Sequence, residues 1–184
     1  MANKGRAVAE RGFTMIELMM VLAIFAILVA IAFPGFEGLT ATSRLKGESN
    51  GFRQTLAQAR TTAINRGQRV TVCKTDSQTS CNNGANWEDG WIMFVDADED
   101  GARDGGEALL RVNQGMPDNL TLRVGANLAD WVAFAPSGEP AGSGGPGNDT
   151  FRVCGPEADT GAAYQVVVNS IGRVEVRRGT GQCP

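Results

Sequence analysis

The sequence predicts an α+β protein in which a long N-terminal helix packs on a C-terminal antiparallel β domain. Residues 13–33 are apolar at all but two positions, whereas beyond Gly67 apolar and polar residues alternate. Helical and strand periods therefore occupy different parts of the chain. The 24 glycines favour a β-rich, loop-rich remainder over a helical bundle. A chain of 184 residues suits one modest domain with an attached segment.

Composition argues against several classes of function. The chain contains no histidine, which removes His-dependent catalysis and His-ligated metal sites. Lysine and tyrosine could also serve as catalytic groups, but the chain contains only Lys4, Lys46, Lys74 and Tyr164. A net charge of -3 does not indicate a general binder of nucleic acid or anionic membranes. We therefore predict that the protein is not an enzyme and that no cofactor is required.

The N-terminal segment consists of a basic leader and an apolar run. Residues 1–12 carry three basic side chains against one acidic side chain. Residues 13–33 are apolar except for Thr14 and Glu17. As a helix this run would extend about 31 Å, close to the roughly 30 Å hydrocarbon core of a bilayer. Because a positive leader stays cytoplasmic, we predict that the chain crosses a membrane once, with its C-terminal part outside the cytoplasm.

Three interpretations of this segment compete. An ordinary secretory signal explains the basic leader and the small residues Ala30 and Ala32. A plain signal anchor explains the apolar run alone. Neither explains Glu17, because an acidic residue inside a membrane span costs about 2.5–3.5 kcal/mol and usually has a partner. The third interpretation comes from a resemblance carried by the residues around Glu17.

The stretch GFTMIE at residues 12–17 resembles the G-F-T-x-x-E processing signature of type IV pilins and type II secretion pseudopilins. The resemblance implies that a prepilin peptidase cuts between Gly12 and Phe13 and methylates the new N-terminus at Phe13. It also implies an assembly role for Glu17. Its carboxylate would pair with the N-terminal amine of a neighbouring subunit, which relieves two buried charges.

Helical character is predicted to resume beyond the apolar run and to stop at Gly67. Pro34 predicts a kink or local melting, since proline removes a backbone donor and clashes with the preceding turn. One apolar stripe then follows at helical spacing: Leu45, Phe52, Leu56, Ala59 and Ala63. The expected division is a leader (1–12), a transmembrane helix (13–33), its amphipathic continuation (34–67) and a periplasmic β-rich domain (68–184).

Eight segments of the remainder show the composition and alternation of β-strands. They are residues 69–73, 90–95, 109–112, 120–124, 131–135, 151–154, 164–168 and 173–177. The glycine-rich residues 142–149 are predicted to form a flexible loop or turn. Trp87, Trp91 and Trp131 are expected to pack in the core rather than to form a ligand platform.

Three later motifs look like those of the GspH/FimT branch of minor pilins. They are GWIMFVD at residues 90–96, FAPSG at 134–138 and NSIGR at 169–173. The resemblance implies a pilin-like fold. It also implies a structural subunit in the assembly or initiation of a type IV pilus or a type II secretion pseudopilus. The implied partners are other pilin or pseudopilin subunits, prepilin peptidase and the inner membrane.

The four cysteines are Cys73, Cys81, Cys154 and Cys183, and none forms a C-x-x-C pair. A zinc ribbon or a thioredoxin-like site therefore has no support. An even number in an exported domain predicts two disulfides with three connectivities. The pairing that is local in sequence, Cys73–Cys81 with Cys154–Cys183, is favoured. Four buried free thiols are the alternative.

An acidic segment matches the D-x-D-x-D-G-x5-E pattern of calcium loops, with Asp96, Asp98, Asp100 and Glu107 as candidate ligands for Ca²⁺. Residues 88–107 hold eight acidic side chains and one arginine, a net charge of -7, and their repulsion favours a cation. The preceding residues are predicted as a strand, unlike the entering helix of an EF-hand. A solvated turn is the alternative, and a secreted calcium-binding domain would require conventional signal-peptide cleavage.

The C-terminal residues 171–178 form a small basic strand. GRVE at residues 172–175 resembles the G-R-x-R element through which FimT-like pilins are thought to contact DNA. That resemblance implies Arg173, Arg177 and Arg178 as candidate DNA contacts. Glu175 stands where the second arginine would be, and its carboxylate repels phosphate. An exposed edge strand without a ligand is the alternative, so DNA is not the favoured partner.

Overall fold

The structure is a computed structural model that describes residues 13–117, 119–155 and 163–179, apart from the side chains of residues 30–39. The chain divides into two compact units, Met1–Thr40 and Ala41–Pro184. One helix, α1 (Met15–Arg66), contains the described residues of the first unit from Met15 onward and the first residues of the second unit.

Both ends of α1 have clear causes in the sequence. At its start, the Oγ1 atom of Thr14 accepts a hydrogen bond of 3.3 Å from the backbone N of Glu17, as an N-cap does. At its end, Gly67 has a φ of +63°, the left-handed conformation that glycine adopts readily. The helical assignment continues through Pro34, so the local melting predicted there is not observed. The predicted stop at Gly67 is confirmed.

The described part of the second unit contains ten β-strands. They are β1 (Val70–Lys74), β2 (Trp91–Val95), β3 (Leu109–Asn113), β4 (Thr121–Arg123), β5 (Trp131–Phe134), β6 (Pro140–Gly142), β7 (Gly145–Pro146), β8 (Asp149–Cys154), β9 (Ala163–Val168) and β10 (Val174–Gly179). Two short 3-10 helices, η1 (Trp87–Asp89) and η2 (Ala126–Leu128), lie between them. All eight predicted strands are present, with ends that differ by at most two residues.

These strands form two antiparallel sheets. The first has the order β3-β2-β1-β5-β6-β7, and the second has the order β10-β9-β8-β4. In the first sheet, Val70 of β1 is opposite Val95 of β2 and Phe134 of β5. In the second, Phe151 of β8 is opposite Val166 of β9.

The glycine-rich residues 142–149, predicted to form a flexible loop or turn, contain a turn that joins two short strands. Strands β6 and β7 form a short hairpin that extends the first sheet. Glycine is needed here because the backbone passes close to η2. A Cβ atom at Gly142 would lie 2.1 Å from the carbonyl O of Asn127, and one at Gly144 would lie 2.0 Å from that of Ala126. Close packing, rather than mobility, accounts for these glycines.

The predicted stripe of α1 forms the helical side of the core. Its five members are no more than 3% exposed: Leu45, Phe52, Leu56, Ala59 and Ala63. The ring of Phe52 lies 4.9 Å from that of Trp91 in the first sheet and 4.7 Å from that of Phe151 in the second. Because one side chain of α1 contacts both sheets, the part of the helix in the second unit packs on the antiparallel domain, as predicted. The α+β fold class is confirmed.

The three tryptophans lie in two apolar clusters. Trp87 and Trp91 belong to the main core, and the Nε1 of Trp87 donates to the carbonyl O atoms of Leu128 and Ala129 at 3.2 and 3.1 Å. Trp131 packs against a smaller cluster of Cys73, Ile92 and Phe94. Its ring also lies 5.0 Å from the guanidinium carbon of Arg69, a cation–π contact. Each tryptophan therefore contributes to packing.

Candidate functional site

The N-terminal segment opens with the residues predicted to be processed. Gly12 lies outside the described residues, and Phe13 is 84% exposed. Glu17 lies in the first turn of α1, where the helix dipole favours a carboxylate. Thr14 and Glu17 also have the T-x-x-E spacing of a capping box, and the hydrogen bond from Glu17 N to Thr14 is present. The processing signature is thus also a helix-starting sequence, a signal that the sequence reasoning missed.

An apolar surface, interrupted by Glu17, covers the start of α1. Every large hydrophobic side chain from Phe13 to Leu28 is more than half exposed. They are Phe13, Met15, Ile16, Leu18, Met19, Met20, Val21, Leu22, Ile24, Phe25, Ile27 and Leu28. Large exposed apolar patches mark surfaces that contact protein or membrane. Within the ranges that the structure describes, no helix has the combined length and hydropathy of a membrane span.

The acidic segment connects β2 to β3, and its carboxylates converge. One carboxylate oxygen from each of Asp96, Asp98 and Glu107 lies within 4.8 Å of the others. Asp98, Asp100 and Asp104 form a second group with the same spread. Three of the four predicted ligands therefore lie together, and the fourth, Asp100, belongs to a group that shares Asp98. Asp96 is buried, whereas Asp98, Asp100 and Asp104 are exposed.

Hydrogen bonds hold this acidic loop closed. The Oε1 atom of Glu107 accepts from the backbone N of Ala97 at 2.7 Å, and its Oε2 accepts from that of Asp104 at 3.0 Å. Gly101 has a φ of +80°, and a Cβ there would lie 2.3 Å from the ring of Trp131. Only glycine permits this approach.

A disulfide lies beside the acidic loop. Cys73 at β1 is bonded to Cys81, the pairing favoured from the sequence. The Sγ atom of Cys81 lies 3.7 Å from the carbonyl O of Gly101. Cys154 is buried and also disulfide-bonded. Cys183 lies outside the described residues, so the pairing Cys154–Cys183 stays a prediction.

Most of the basic segment lies in β10, an edge strand of the second sheet, and Arg173 directly precedes this strand. The Nε atom of Arg173 lies 2.7 Å from Oε1 of Glu175, and the Nη2 atom of Arg177 lies 2.8 Å from Oε2 of the same carboxylate. Two of the three candidate DNA contacts are therefore ion-paired to the residue between them. Arg178 is exposed on the same strand. The hydrogen bond from Arg177 and the charge of Arg173 hold the pKa of Glu175 below its ordinary value.

Replacing Arg177 with glutamine is expected to raise the pKa of Glu175 toward its ordinary value. Because the pKa is lowered in the folded chain, the stabilisation from these pairs is present above the unfolded value. It is lost as the pH falls through the folded value. An NMR titration of the Glu175 side-chain carbon measures the pKa directly. Arg178→Gln is the matched control, and equal pKa values in the two variants would contradict the pairing.

Arg60 of α1 joins two turns that carry the motifs FAPSG and NSIGR. Its Nε donates to the carbonyl O of Gly138 and its Nη2 donates to that of Ile171, both at 2.9 Å. A Cβ at Gly172 would lie 2.1 Å from the carbonyl O of Gly138, so glycine lets the two turns meet. Arg60 is not a member of the apolar stripe that was predicted for this helix. Its partners lie 78 and 111 residues away, too far for a local signal.

The family match covers most of the β domain. Residues 48–172 match the family described as Type II transport protein GspH, about two thirds of the chain. This chain belongs to the GspH family. Residues 8–33 match the prokaryotic N-terminal methylation motif. The GspH match includes the acidic loop and the turns held by Arg60, and it ends before β10.

Known proteins similar to this GspH-family chain include subunits of pili and pseudopili. The chain is 36% identical over 78 residues to a fimbrial protein of Moraxella nonliquefaciens. The aligned region covers 42% of the chain and 47% of that relative. The chain thus matches about half the length of the relative. It is 18% identical to the type IV minor pilin FimU of Pseudomonas aeruginosa, with a TM-score of 0.57 over 76% of the chain and 92% of FimU.

A second solved structure has the same fold as the GspH-family chain. The minor pseudopilin EpsH from the type 2 secretion system of Vibrio cholerae is 14% identical, with a TM-score of 0.51. The alignment covers 73% of the chain and 97% of EpsH. At these identities the likeness shows the fold. The resemblance to the GspH/FimT branch of minor pilins is confirmed.

Proposed function

We propose that this GspH-family chain is a minor pilin or pseudopilin. As such it is a structural subunit that takes part in the assembly or initiation of a type IV pilus or a type II secretion pseudopilus. The observation that carries the proposal is the apolar surface over residues 13–28, interrupted by the carboxylate of Glu17. It coincides with the N-terminal methylation motif at residues 8–33.

The apolar surface needs a covering. Each large apolar side chain that leaves water contributes about 1.5–3 kcal/mol, and twelve such side chains are exposed between residues 13 and 28. Before assembly, the inner membrane supplies this covering if residues 13–33 lie across it. After assembly, the equivalent helices of other pilin or pseudopilin subunits supply it. The partners are therefore the membrane, prepilin peptidase and neighbouring subunits.

Glu17 gives the assembly direction and register. Cleavage by prepilin peptidase after Gly12 frees a positively charged amine at Phe13. A carboxylate and an amine that are both in a low-dielectric environment stabilise each other, whereas either one alone is costly. The pair forms between two subunits, since Glu17 of one approaches Phe13 of its neighbour. Assembly thus satisfies both charges at once.

The proposed role is structural rather than enzymatic. The sequence lacks histidine, and Lys74 is ion-paired with Asp130 at 2.9 Å. A role in DNA uptake has weaker support, because Glu175 pairs with Arg173 and Arg177. The basic strand also lies beyond the GspH match. A secreted calcium-binding domain would make no use of the methylation motif.

Mass spectrometry of the mature chain tests the processing step. The expected N-terminus is Phe13 carrying one added methyl group. Gly12→Val is expected to block cleavage, because a bulky residue before the scissile bond would exclude the peptidase. Gly5→Val, which lies elsewhere in the leader, is the matched control and should be cleaved normally. A chain that starts at Phe33 would indicate ordinary signal-peptide cleavage. A chain that retains the leader in the wild type would contradict the proposal.

A further inference from the structure

We propose that the acidic loop between β2 and β3 binds one calcium ion at the carboxylates of Asp96, Asp98 and Glu107. These three form one converging group, and Asp98 joins Asp100 and Asp104 in a second group beside it. This inference concerns the β domain alone. It is independent of filament assembly, so either proposal can fail without the other.

The order of these residues is that of a calcium loop. The five carboxylates occupy loop positions 1, 3, 5, 9 and 12, and Gly101 occupies position 6. Gly101 has the positive φ, +80°, that the sharp turn requires. Loop position 9 usually acts through a water molecule, and a glutamate at position 12 binds with both oxygens. Asp104 was not among the ligands predicted from the motif, and the structure places it in the second group.

A separate observation at Asp96 points to a ligand. Its side chain is fully buried, and its Oδ2 accepts from the hydroxyl of Thr71 and lies 3.2 Å from Nε of Arg69. Its Oδ1 is equally inaccessible and accepts no hydrogen bond from any described residue. A buried carboxylate oxygen without a donor is costly and calls for a partner. A cation beside Asp98 and Glu107 supplies that partner.

Charge favours a divalent cation here. Residues 96–107 contain six acidic side chains and one arginine, a net charge of -5. Arg69 contacts Asp96 and also lies 3.5 Å from Glu99, so one further positive charge is present. The remaining excess of negative charge is concentrated in a few ångströms, and its repulsion weakens when an ion binds.

The donor set favours a hard cation. The candidate ligands are all carboxylates, which suit calcium, magnesium and manganese better than softer metals. The distance from calcium to a ligand oxygen is about 2.4 Å, so two oxygens that bind the same ion lie at most about 4.8 Å from each other. The oxygens of each group lie within 4.8 Å of one another. Magnesium needs near-ideal octahedral geometry at a shorter distance and gives up its waters reluctantly.

Hydrogen bonds already order the loop in the absence of an ion. Arg103 donates to the carbonyl O of Thr79 at 2.7 Å, which ties the acidic loop to the segment closed by the Cys73–Cys81 disulfide. Both oxygens of Glu107 hold backbone amides and retain lone pairs for a cation. Because little ordering remains to be done on binding, the entropic cost is small.

Titration calorimetry of the full chain in mild detergent, after treatment with EDTA, tests the site with CaCl₂. We expect a dissociation constant on the order of 10⁻⁴–10⁻³ M and a higher melting temperature in calcium. Asp98 belongs to both groups and is exposed, so Asp98→Asn should fold normally and bind roughly 10-fold more weakly or worse.

Glu99→Gln is the matched control, because it removes the same charge from the same loop outside both groups. It should weaken binding by no more than about 5-fold. MgCl₂ should bind roughly 10-fold more weakly than CaCl₂ or not at all. The proposal is overturned if the wild type shows neither heat nor a melting shift in calcium. It is also overturned if the two variants weaken binding equally, or if magnesium binds as well as calcium, since the loop would then only attract counterions.

Discussion

Replacing Phe52 with alanine is expected to lower the free energy of unfolding of the β domain by about 3–5 kcal/mol. The ring of Phe52 is fully buried, with its centroid 4.7–5.7 Å from those of Trp87, Trp91 and Phe151. These contacts are edge-to-face, the geometry that aromatic pairs prefer. Truncation leaves a cavity where the helix meets both sheets, and a close-packed core collapses into it only in part.

Denaturant unfolding of the full chain, followed by tryptophan fluorescence, measures this loss. Trp87 and Trp91 contact Phe52, so the signal reports on the site itself. Ile64→Ala is the matched control, because Ile64 lies on the same helix and is 47% exposed. It should cost less than about 1 kcal/mol. A loss from Phe52→Ala no greater than that of the control would contradict the assignment of Phe52 to the centre of the core.

Replacing Glu17 with glutamine is expected to reduce entry of the chain into filaments by roughly 100-fold or more while its leader is still removed. Breaking a buried ion pair by removing one partner costs about 3–5 kcal/mol, because the other charge remains unpaired. Each 1.4 kcal/mol corresponds to about tenfold in an equilibrium. Glutamine keeps the size of the side chain, so the change isolates the charge.

The ratio of chain in sheared filaments to chain in membranes measures this effect. Glu48→Gln is the matched control, since Glu48 lies on the same helix in the second unit. It should enter filaments as the wild type does. The N-terminal mass of the Glu17 variant must show normal trimming, so that processing and assembly are separated. Normal entry of a correctly trimmed Glu17→Gln chain would contradict the ion-pair account.

Local patterns in the sequence predicted most of the fold. In the helical stripe around Phe52 and in the strands of both sheets, the buried residues recur at the spacing of a helix or a strand. This spacing can be recognised within a short stretch of sequence. The Cys73–Cys81 disulfide joins residues only eight apart, so it too was visible. The β6–β7 hairpin was missed because its glycines have no side chains to show a period, and their role depends on η2.

The candidate sites were predicted in part, and distance in sequence explains the rest. The spacing of Asp96, Asp98 and Glu107 suggested that they lie together, and they do. The contact of Gly101 with Trp131 and the double contact of Arg60 join distant segments that no local pattern relates. Glu175 was expected to oppose DNA by repulsion. The structure adds that it pairs with Arg173 and Arg177.

The proposed filament role is tested most directly by locating the wild-type chain in cells that build the filament. A chain with a C-terminal tag should be recovered with sheared filaments. It should be lost from that fraction, and held in the membrane with its leader, when prepilin peptidase is removed. Recovery of the chain as a free periplasmic protein that begins at Phe33, with none in the filament fraction, would contradict the proposed function.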